Sequence, residues 1–274
     1  MTYHADARPL YHAALAGGYA LPAYNVCSLE MAKGCLDAAE AAGKPVILQT
    51  YPADIEQASP HVFAQLIRAL ADEVSVPVTL HLDHGRDVDQ VIACLRAGYG
   101  SVMFDGQGLP FDETLRMTAH LAGIAHASGA ALEVSAEGFG LPGADDNVLD
   151  TTDPQQARAL RDAGADLIAC AVGSEHGHAS RLDLTLLAEI QTQAGGPLVL
   201  HGGSGIHPDD LQAAVRQGVT KVNIGSALYR AVRAAWMATP TLPTHRAGYA
   251  SIRAAVKGAA APFLDLLHPQ RNSA

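Results

Sequence analysis

A closed barrel of eight parallel strands ringed by helices, the TIM (β/α)8 barrel of the α/β class, is predicted by three observations. Eight short runs rich in β-branched and aliphatic residues alternate with Ala- and Leu-rich amphipathic stretches from one end of the chain to the other. Several helical stretches open on Asp, Ser or Pro and close on a glycine, as at Gly43, Gly98, Gly129, Gly164, Gly195 and Gly218, which is the chemistry of helix starts and stops. Eight such units in about 240 residues match one barrel. A doubly wound open sheet is the alternative, but its usual GxGxxG turn is missing after the first strand.

Taken in order, the strands are expected at 19–26, 45–50, 76–82, 101–105, 131–137, 166–172, 197–201 and 221–224. The helices between them are expected at 29–42, 60–74, 87–97, 111–128, 154–163, 183–194, 208–217 and 226–238, with Pro60, Asp87, Pro154, Asp183, Pro208 and Ser226 as starting residues. A C-terminal helical extension follows from about residue 240; its stretch 249–267 carries an apolar excess (Ile252, Val256, Phe263, Leu264, Leu267) that suits either a dimer contact or a cap on the barrel. Residues 1–274 show no Pro/Ser-rich linker or composition break, so one domain is expected.

With 49% hydrophobic and only 5% aromatic residues, the chain can bury one large aliphatic core. Its 18 Lys+Arg against 28 Asp+Glu give a net charge of −10, which argues against nucleic-acid or anionic-membrane binding. Cys27, Cys35, Cys94 and Cys170 show neither CxxC spacing nor the density of a disulfide scaffold and read as reduced core thiols. No signal pattern and no apolar run of roughly 20 residues is present, so a soluble, cytoplasmic protein is expected.

Active sites of such barrels lie at the C-terminal ends of the strands. The unusual polar residues at those ends are Asn25, Asp83 and His84, Asp105, Glu137, His176, His201 and Asn223. Adjacent residues on a strand point to opposite faces, so Asp83 and His84 share a site only if the backbone turns, which Gly85 permits. Alone, that pair also suits a helix-capping Asp and a rim histidine. Three histidines and a carboxylate converging on one mouth suit zinc, or cobalt or manganese, in an open catalytic site.

After strand seven comes His201-Gly-Gly-Ser-Gly205 and after strand eight Asn223-Ile-Gly225-Ser226, each opening a helix. Such turns present free backbone N–H groups to an anion, and barrels commonly bind phosphate with these two loops; isolated glycine pairs also make plain tight turns. No lysine ends a strand, and Lys221 is read as beginning strand eight at the opposite end, so a Schiff-base route has no candidate.

The motifs Val78-Thr-Leu-His-Leu-Asp-His-Gly85, Ala171-Val-Gly-Ser-Glu-His-Gly177, Leu198-Val-Leu-His-Gly-Gly-Ser-Gly205 and Lys221-Val-Asn-Ile-Gly-Ser226 resemble, in order and spacing, the signatures of the class II, metal-dependent ketose-bisphosphate aldolases, the fructose- and tagatose-bisphosphate enzymes. Tyr19-Ala-Leu-Pro-Ala-Tyr-Asn-Val26 with Glu30, and Pro45-Val-Ile-Leu-Gln49, look like that family's first two strands. The resemblance implies that His84, His176 and His201 hold Zn2+ with Glu137 nearby, and that Asp83 moves the proton of the C4 hydroxyl. It also implies that Gly177, Gly202, Ser204, Asn223, Gly225 and Ser226, with Asn25, surround the phosphorylated end of the substrate, beside a monovalent cation (Na+ or K+). A zinc-stabilised enediolate, dihydroxyacetone phosphate as product, and a homodimer or homotetramer follow from the same resemblance.

The chain also departs from that pattern. Where the family reads Glu-Ala-Glu-Leu-Gly and then Gly-Gly-x-Glu-Asp, this chain reads Ser135-Ala-Glu137-Gly138 and Pro142-Gly-Ala-Asp145-Asp146, so Asp145 stands in for the glutamate that abstracts the second proton. Asp is one methylene shorter, and small misplacements in such a site matter. Gln107 replaces a common Ser, and Arg246, Arg181 or Arg253 stands as candidate for holding a distal phosphate, without the family's Asp-Pro-Arg pattern. These differences point toward a second substrate half that lacks a phosphate. The rival readings are a metal-dependent sugar isomerase or epimerase and a non-catalytic sugar-phosphate-binding protein.

Overall fold

The computed structural model describes residues 2–136, 151–175, 177–239 and 243–269. Strands β1 (Leu21–Asn25), β2 (Val46–Thr50), β3 (Val78–Gly85), β4 (Ser101–Phe104), β5 (Ala131–Ser135), β6 (Leu167–Ala169), β7 (Leu198–Leu200) and β8 (Val219–Ile224) pair in sequence order. All neighbours are parallel, and β8 returns to β1 with Asn223 opposite Ala23, so the sheet closes into a TIM barrel. Around it run α1 (Arg8–Gly17), α2 (Leu29–Ala42), α3 (Pro52–Ala71), α4 (Val88–Ala97), α5 (Phe111–Ala127), α6 (Pro154–Asp162), α7 (Leu184–Ala194), α8 (Pro208–Arg216), α9 (Ser226–Ala238) and α10 (His245–Leu266). The expected caps form: Ser28, Asp87 and Asp183 accept from backbone amides of the first turns of α2, α4 and α7. Because Asp87 caps α4, Asp83 is left for another role.

Side chains alternate along the strands, and the alternation sorts the core into two layers. Even-numbered residues such as Leu48, Leu80, Leu82, Val102, Leu132, Ile168, Leu200 and Val222 face the helices. Odd-numbered Leu21, Ala23, Ile47, Met103, Ala131, Leu167, Ala169 and Val199 fill the barrel. Helix α1, which the sequence reading leaves unassigned, stops the end of the barrel that lies away from the site by adding Leu10, Tyr11 and Ala14 to that inner layer. One level higher the odd positions turn polar, with Gln49, His81, Ser101, Glu133 and Lys221 all completely buried.

Two helices differ from expectation. Helix α3 gains an extra segment from Pro52: Ser59, at φ 60° and ψ 152°, breaks it ahead of Pro60, and the segment expected from Pro60 follows that break. Helix α10 starts at His245 and lies along α2. Ile252, Val256, Leu264 and Leu267 are buried there, so the apolar stripe expected at 249–267 is consumed within the chain. Arg253 makes two bonds to Asp37, at 2.5 and 2.6 Å, and the Tyr24 hydroxyl donates to the Ala260 carbonyl at 2.7 Å. Gly34 lets the two helices touch, since a Cβ there would sit 2.7 Å from the Arg253 carbonyl oxygen and 2.8 Å from Val256 Cβ. Cys35, Cys94 and Cys170 are buried as expected, whereas Cys27 is exposed, and all four are free thiols. Among the described residues no helix is long and apolar enough to cross a membrane.

Gly34→Ala therefore overpacks the α2–α10 contact. It is expected to lower stability by about 1–3 kcal/mol, read as a lower urea midpoint with an unchanged slope; an unchanged midpoint would mean that the helices are not held this close.

Candidate active site

The strand bearing Asp83 and His84 breaks its own alternation. Residue 84 should face the helices like Leu80 and Leu82, yet β3 slips its register against β4 between Leu82 and Gly85, and His84 takes φ 52°. That left-handed backbone, costing about 1–2 kcal/mol in a residue with a Cβ, swings the imidazole round to the mouth beside Asp83. The turn expected at Gly85 thus belongs to His84. Gly85 is needed for a different reason, because a Cβ there would collide with the Met103 carbonyl of β4. The twisted histidine is held by Asp105, whose Oδ2 lies 2.7 Å from His84 Nδ1.

Asp83 is 4% exposed and accepts three amide hydrogen bonds. Asn25 Nδ2 and Gln49 Nε2 donate to its Oδ2 at 2.8 and 3.1 Å, and Asn223 Nδ2 donates to its Oδ1 at 2.8 Å. Burial alone would raise the Asp83 pKa, but the fields of His84, His201 and Lys221 and the bond from Asn25 outweigh it and hold the group below the usual carboxylate range. It is therefore an anion with lone pairs facing the cavity.

His201 follows β7 and is 1% exposed, with its Nε2 3.2 Å from Glu133 Oε1. Asp83, His84 and His201 each offer a ligand atom, all within 4.8 Å of one another. Two imidazoles and a carboxylate suit a divalent ion, and each imidazole has its other nitrogen on a carboxylate, the arrangement that fixes tautomer and ring orientation in metal sites. With Nε2 on Glu133 and Nδ1 on Asp105, His201 Nδ1 and His84 Nε2 are the atoms a metal ion would meet.

A cavity of about 450 Å³ opens above this cluster, lined by Asn25, Asp83, His84, Gly202, Ser204, Asn223, Gly225 and Ser226, with Tyr51, Asp105, Gln107 and Tyr229 as its outer wall. Ser204 Oγ accepts from the Ala227 amide at 3.1 Å and so binds the β7 turn to the start of α9. Gly177 lies against Ser226, where an added Cβ would be 3.6 Å from the serine oxygen. The two glycine turns and the carboxylate–histidine cluster thus face one space.

Of the residues singled out by sequence, Asn25, Asp83, His84, Gly202, Ser204, Asn223, Gly225 and Ser226 line this cavity, and His201 joins the cluster beside it. Glu137, Asp145 and His176 lie outside the described residues. Arg246 is exposed in the first turn of α10 and does not line the cavity. Arg253 is spent on Asp37, and Arg181 pairs with Asp210 at 3.1 Å.

Sequence reasoning missed the level below. Glu133, two residues before Ser135, is the carboxylate that reaches His201; Gln49 braces Asp83; and Lys221 does not begin β8 at the far end but lies two residues in, with its ammonium in the barrel 2.9 Å from Glu133 Oε2. Glu133 and Lys221 are polar and in phase with the expected mouth residues Glu137 and Asn223 of their own strands, and that parity was the available signal; Gln49 lies on a strand for which no mouth residue was expected. His81 beside them has its pKa driven down to about 3 by burial and by Lys221, so its ring is neutral. Lys221 is wholly enclosed and does not line the cavity, which leaves the Schiff-base route without a candidate there.

Residues 5–269 match the family model described as fructose-bisphosphate aldolase class-II. The chain is 36% identical over 232 residues to a fructose-bisphosphate aldolase of Streptococcus pyogenes serotype M1, covering 81% of this chain and 78% of that one. It is 33% identical over 245 residues to the fructose-bisphosphate aldolase of Mycoplasma pneumoniae, covering 84% of each. Among solved structures, the YdjI aldolase of Escherichia coli K12 superposes with a TM-score of 0.86 at 28% identity over 97% of both chains.

If Asp105 orients His84, Asp105→Ala should weaken divalent-metal binding roughly 10–100-fold, measured by competition with a chromogenic chelator. Wild-type affinity in that variant would exclude the carboxylate from this role.

Proposed function

The chain belongs to the class II fructose-bisphosphate aldolase family, whose members are carbon–carbon lyases, and from that premise we propose that it is a zinc enzyme cleaving a phosphorylated ketose into dihydroxyacetone phosphate and an aldehyde. One observation carries this reading: the Asp83, His84 and His201 cluster faces the same cavity as the glycine turns after β7 and β8. The isomerase and non-catalytic readings lose support, since the relatives named above are aldolases.

His84 and His201, with His176 as the third imidazole on the strength of the resemblance, are the residues that would hold the ion. When bound, it supplies a Lewis acid for the negative charge that develops as the carbon–carbon bond breaks. Asp83 takes the proton of the C4 hydroxyl. The C3–C4 bond then breaks, the aldehyde carbonyl forms at C4, and the electron pair is left on the three-carbon half, which becomes dihydroxyacetone phosphate on gaining a proton at C3. Three amide donors aim Asp83, and the fields of His84, His201 and Lys221 with the Asn25 bond keep it ionised, so it can accept that proton. Asp145 is our candidate for the proton at C3, and Glu137 for a carboxylate near the ion. The amides at Gly202, Gly225 and Ser226, with Ser204, Gly177 and Asn223, suit the phosphate, where an Na+ or K+ ion would offset part of its charge.

The outer wall favours a substrate whose far end carries no phosphate. Tyr51, Gln107 and Tyr229 are neutral groups suited to a hydroxylated chain, and burial raises the Tyr229 pKa so that its hydroxyl stays protonated. Arg181 and Arg253 are occupied elsewhere, and a distal phosphate would be left to Arg246 from a second copy of the chain. A homodimer or homotetramer is our reading of the assembly; Trp236, Met237 and Tyr249, exposed by 64, 70 and 51%, give α9 and α10 a face that suits it.

The direct test is release of dihydroxyacetone phosphate from fructose and tagatose 1,6-bisphosphates and the corresponding 1-phosphates, with and without chelator. Chelator-sensitive release, stronger from a 1-phosphate, is expected; zinc-loaded protein that releases no triose from any of the four would end this reading. Asp83→Ala should abolish cleavage, a loss of more than about 100-fold, with zinc retained, and a variant that lost its zinc would instead make Asp83 a required ligand.

A further inference from the structure

The buried level beneath the mouth holds a cation that the reaction itself does not use. Lys221 Nζ lies 2.9 Å from Glu133 Oε2 and donates to Asn223 Oδ1 at 2.7 Å, with both Lys221 and Glu133 at 0% exposure. Glu133 reaches on to His201 Nε2 at 3.2 Å, and Asn223 donates to Asp83 at 2.8 Å. We propose that Lys221 is a positioning residue that sets the metal-binding imidazole of His201 through Glu133 and the proton-accepting carboxylate of Asp83 through Asn223.

The donor inventory supplies the reason. A carboxamide has one accepting and one donating end, and an ammonium can only donate. The Asn223 atom facing Lys221 must therefore be the carbonyl oxygen, which turns the NH2 group toward Asp83. Without Lys221 the Asn223 oxygen loses its donor, and the amide, then held on the Asp83 side alone, is free to shift from the position in which it aims that carboxylate. On the other arm, Glu133 lends Oε1 to His201 while its second oxygen, Oε2, accepts no hydrogen bond and has its charge offset by the Lys221 ammonium 2.9 Å away, so Lys221 is what holds the buried carboxylate in place. His81 Nε2, at 3.5 Å from the same oxygen, is too far to replace it. Both arms leave one ammonium inside the barrel, and it touches neither the cavity nor the metal ligands themselves.

The proposal rests on the aldolase reading for its activity arm alone. The full-length protein is loaded with cobalt(II) as the probe, and Lys221→Met is compared with wild type for cobalt affinity, the visible cobalt spectrum, and kcat and KM at saturating cobalt. The variant is expected to bind cobalt roughly 10–100-fold more weakly, to show an altered visible spectrum, and to lose about tenfold or more in kcat with KM little changed, since Asp83 acts in the bond-breaking step. Removing Lys221 alone strands the Glu133 charge, so the Glu133→Gln/Lys221→Met double variant covers failure to fold. It is expected to fold and still to show the loss of kcat, because the Asn223 amide is then held from the Asp83 side alone. Folded variants with wild-type affinity, spectrum and kcat, changed only in melting temperature, would overturn the proposal by reducing Lys221 to a structural ion pair. If wild type cleaves no ketose phosphate, the aldolase reading fails, and affinity and spectrum still decide the His201 arm.

Discussion

The Glu133–Lys221 pair is the interaction on which the site depends. Each ion gives up its water at a cost of several kcal/mol, and such a pair is stable only where the remaining lone pairs and protons are satisfied. Here each ion has one further partner, Glu133 Oε1 meeting His201 and the Lys221 ammonium meeting Asn223. The requirement that keeps a charged layer in the barrel thus also aims two residues at the mouth. Below this layer the interior is apolar and sealed by α1; above it the strand ends open to substrate. The barrel is graded from dry hydrocarbon, through a buried polar layer that holds one ion pair, to an open cavity.

This layering explains why the fold could be read from sequence and part of the site could not. The eight strands were legible because each is bounded by turn residues and followed by a helix with a cap and a glycine stop, signals local to a few residues. Helix α1 was missed because it belongs to no strand–helix unit. The stripe on α10 was visible, but its partner was not, because that depends on the absence of a side chain at Gly34, far earlier in the chain.

The mouth residues were legible since position at a strand end is itself a functional signal in this architecture. The residues beneath were not, because parity places Glu133 and Lys221 on the inner face but does not say which groups of other strands they meet there. Lys221 is the clearest case: from sequence it marks the start of a strand, and only closure of the barrel brings it to Glu133, 88 positions away. His84 is the converse. It was expected at the mouth and lines the cavity, while the reason it points there was assigned to Gly85, because a left-handed histidine is a tertiary outcome, held by Asp105 against its own local cost.

The same constraints account for how Asp83 is held. An ammonium in direct contact with a proton-accepting carboxylate would neutralise it and lower its basicity, whereas neutral amides stabilise the anion with a smaller penalty to proton uptake. Asn25, Gln49 and Asn223 are all amides, and Lys221 reaches Asp83 only through one of them. Setting the cation one residue back lets it fix the position of Asp83 through Asn223, while its field still helps to hold that carboxylate ionised. The other fields that hold Asp83 ionised come from His84 and His201, which together with it form the cluster suited to a divalent ion.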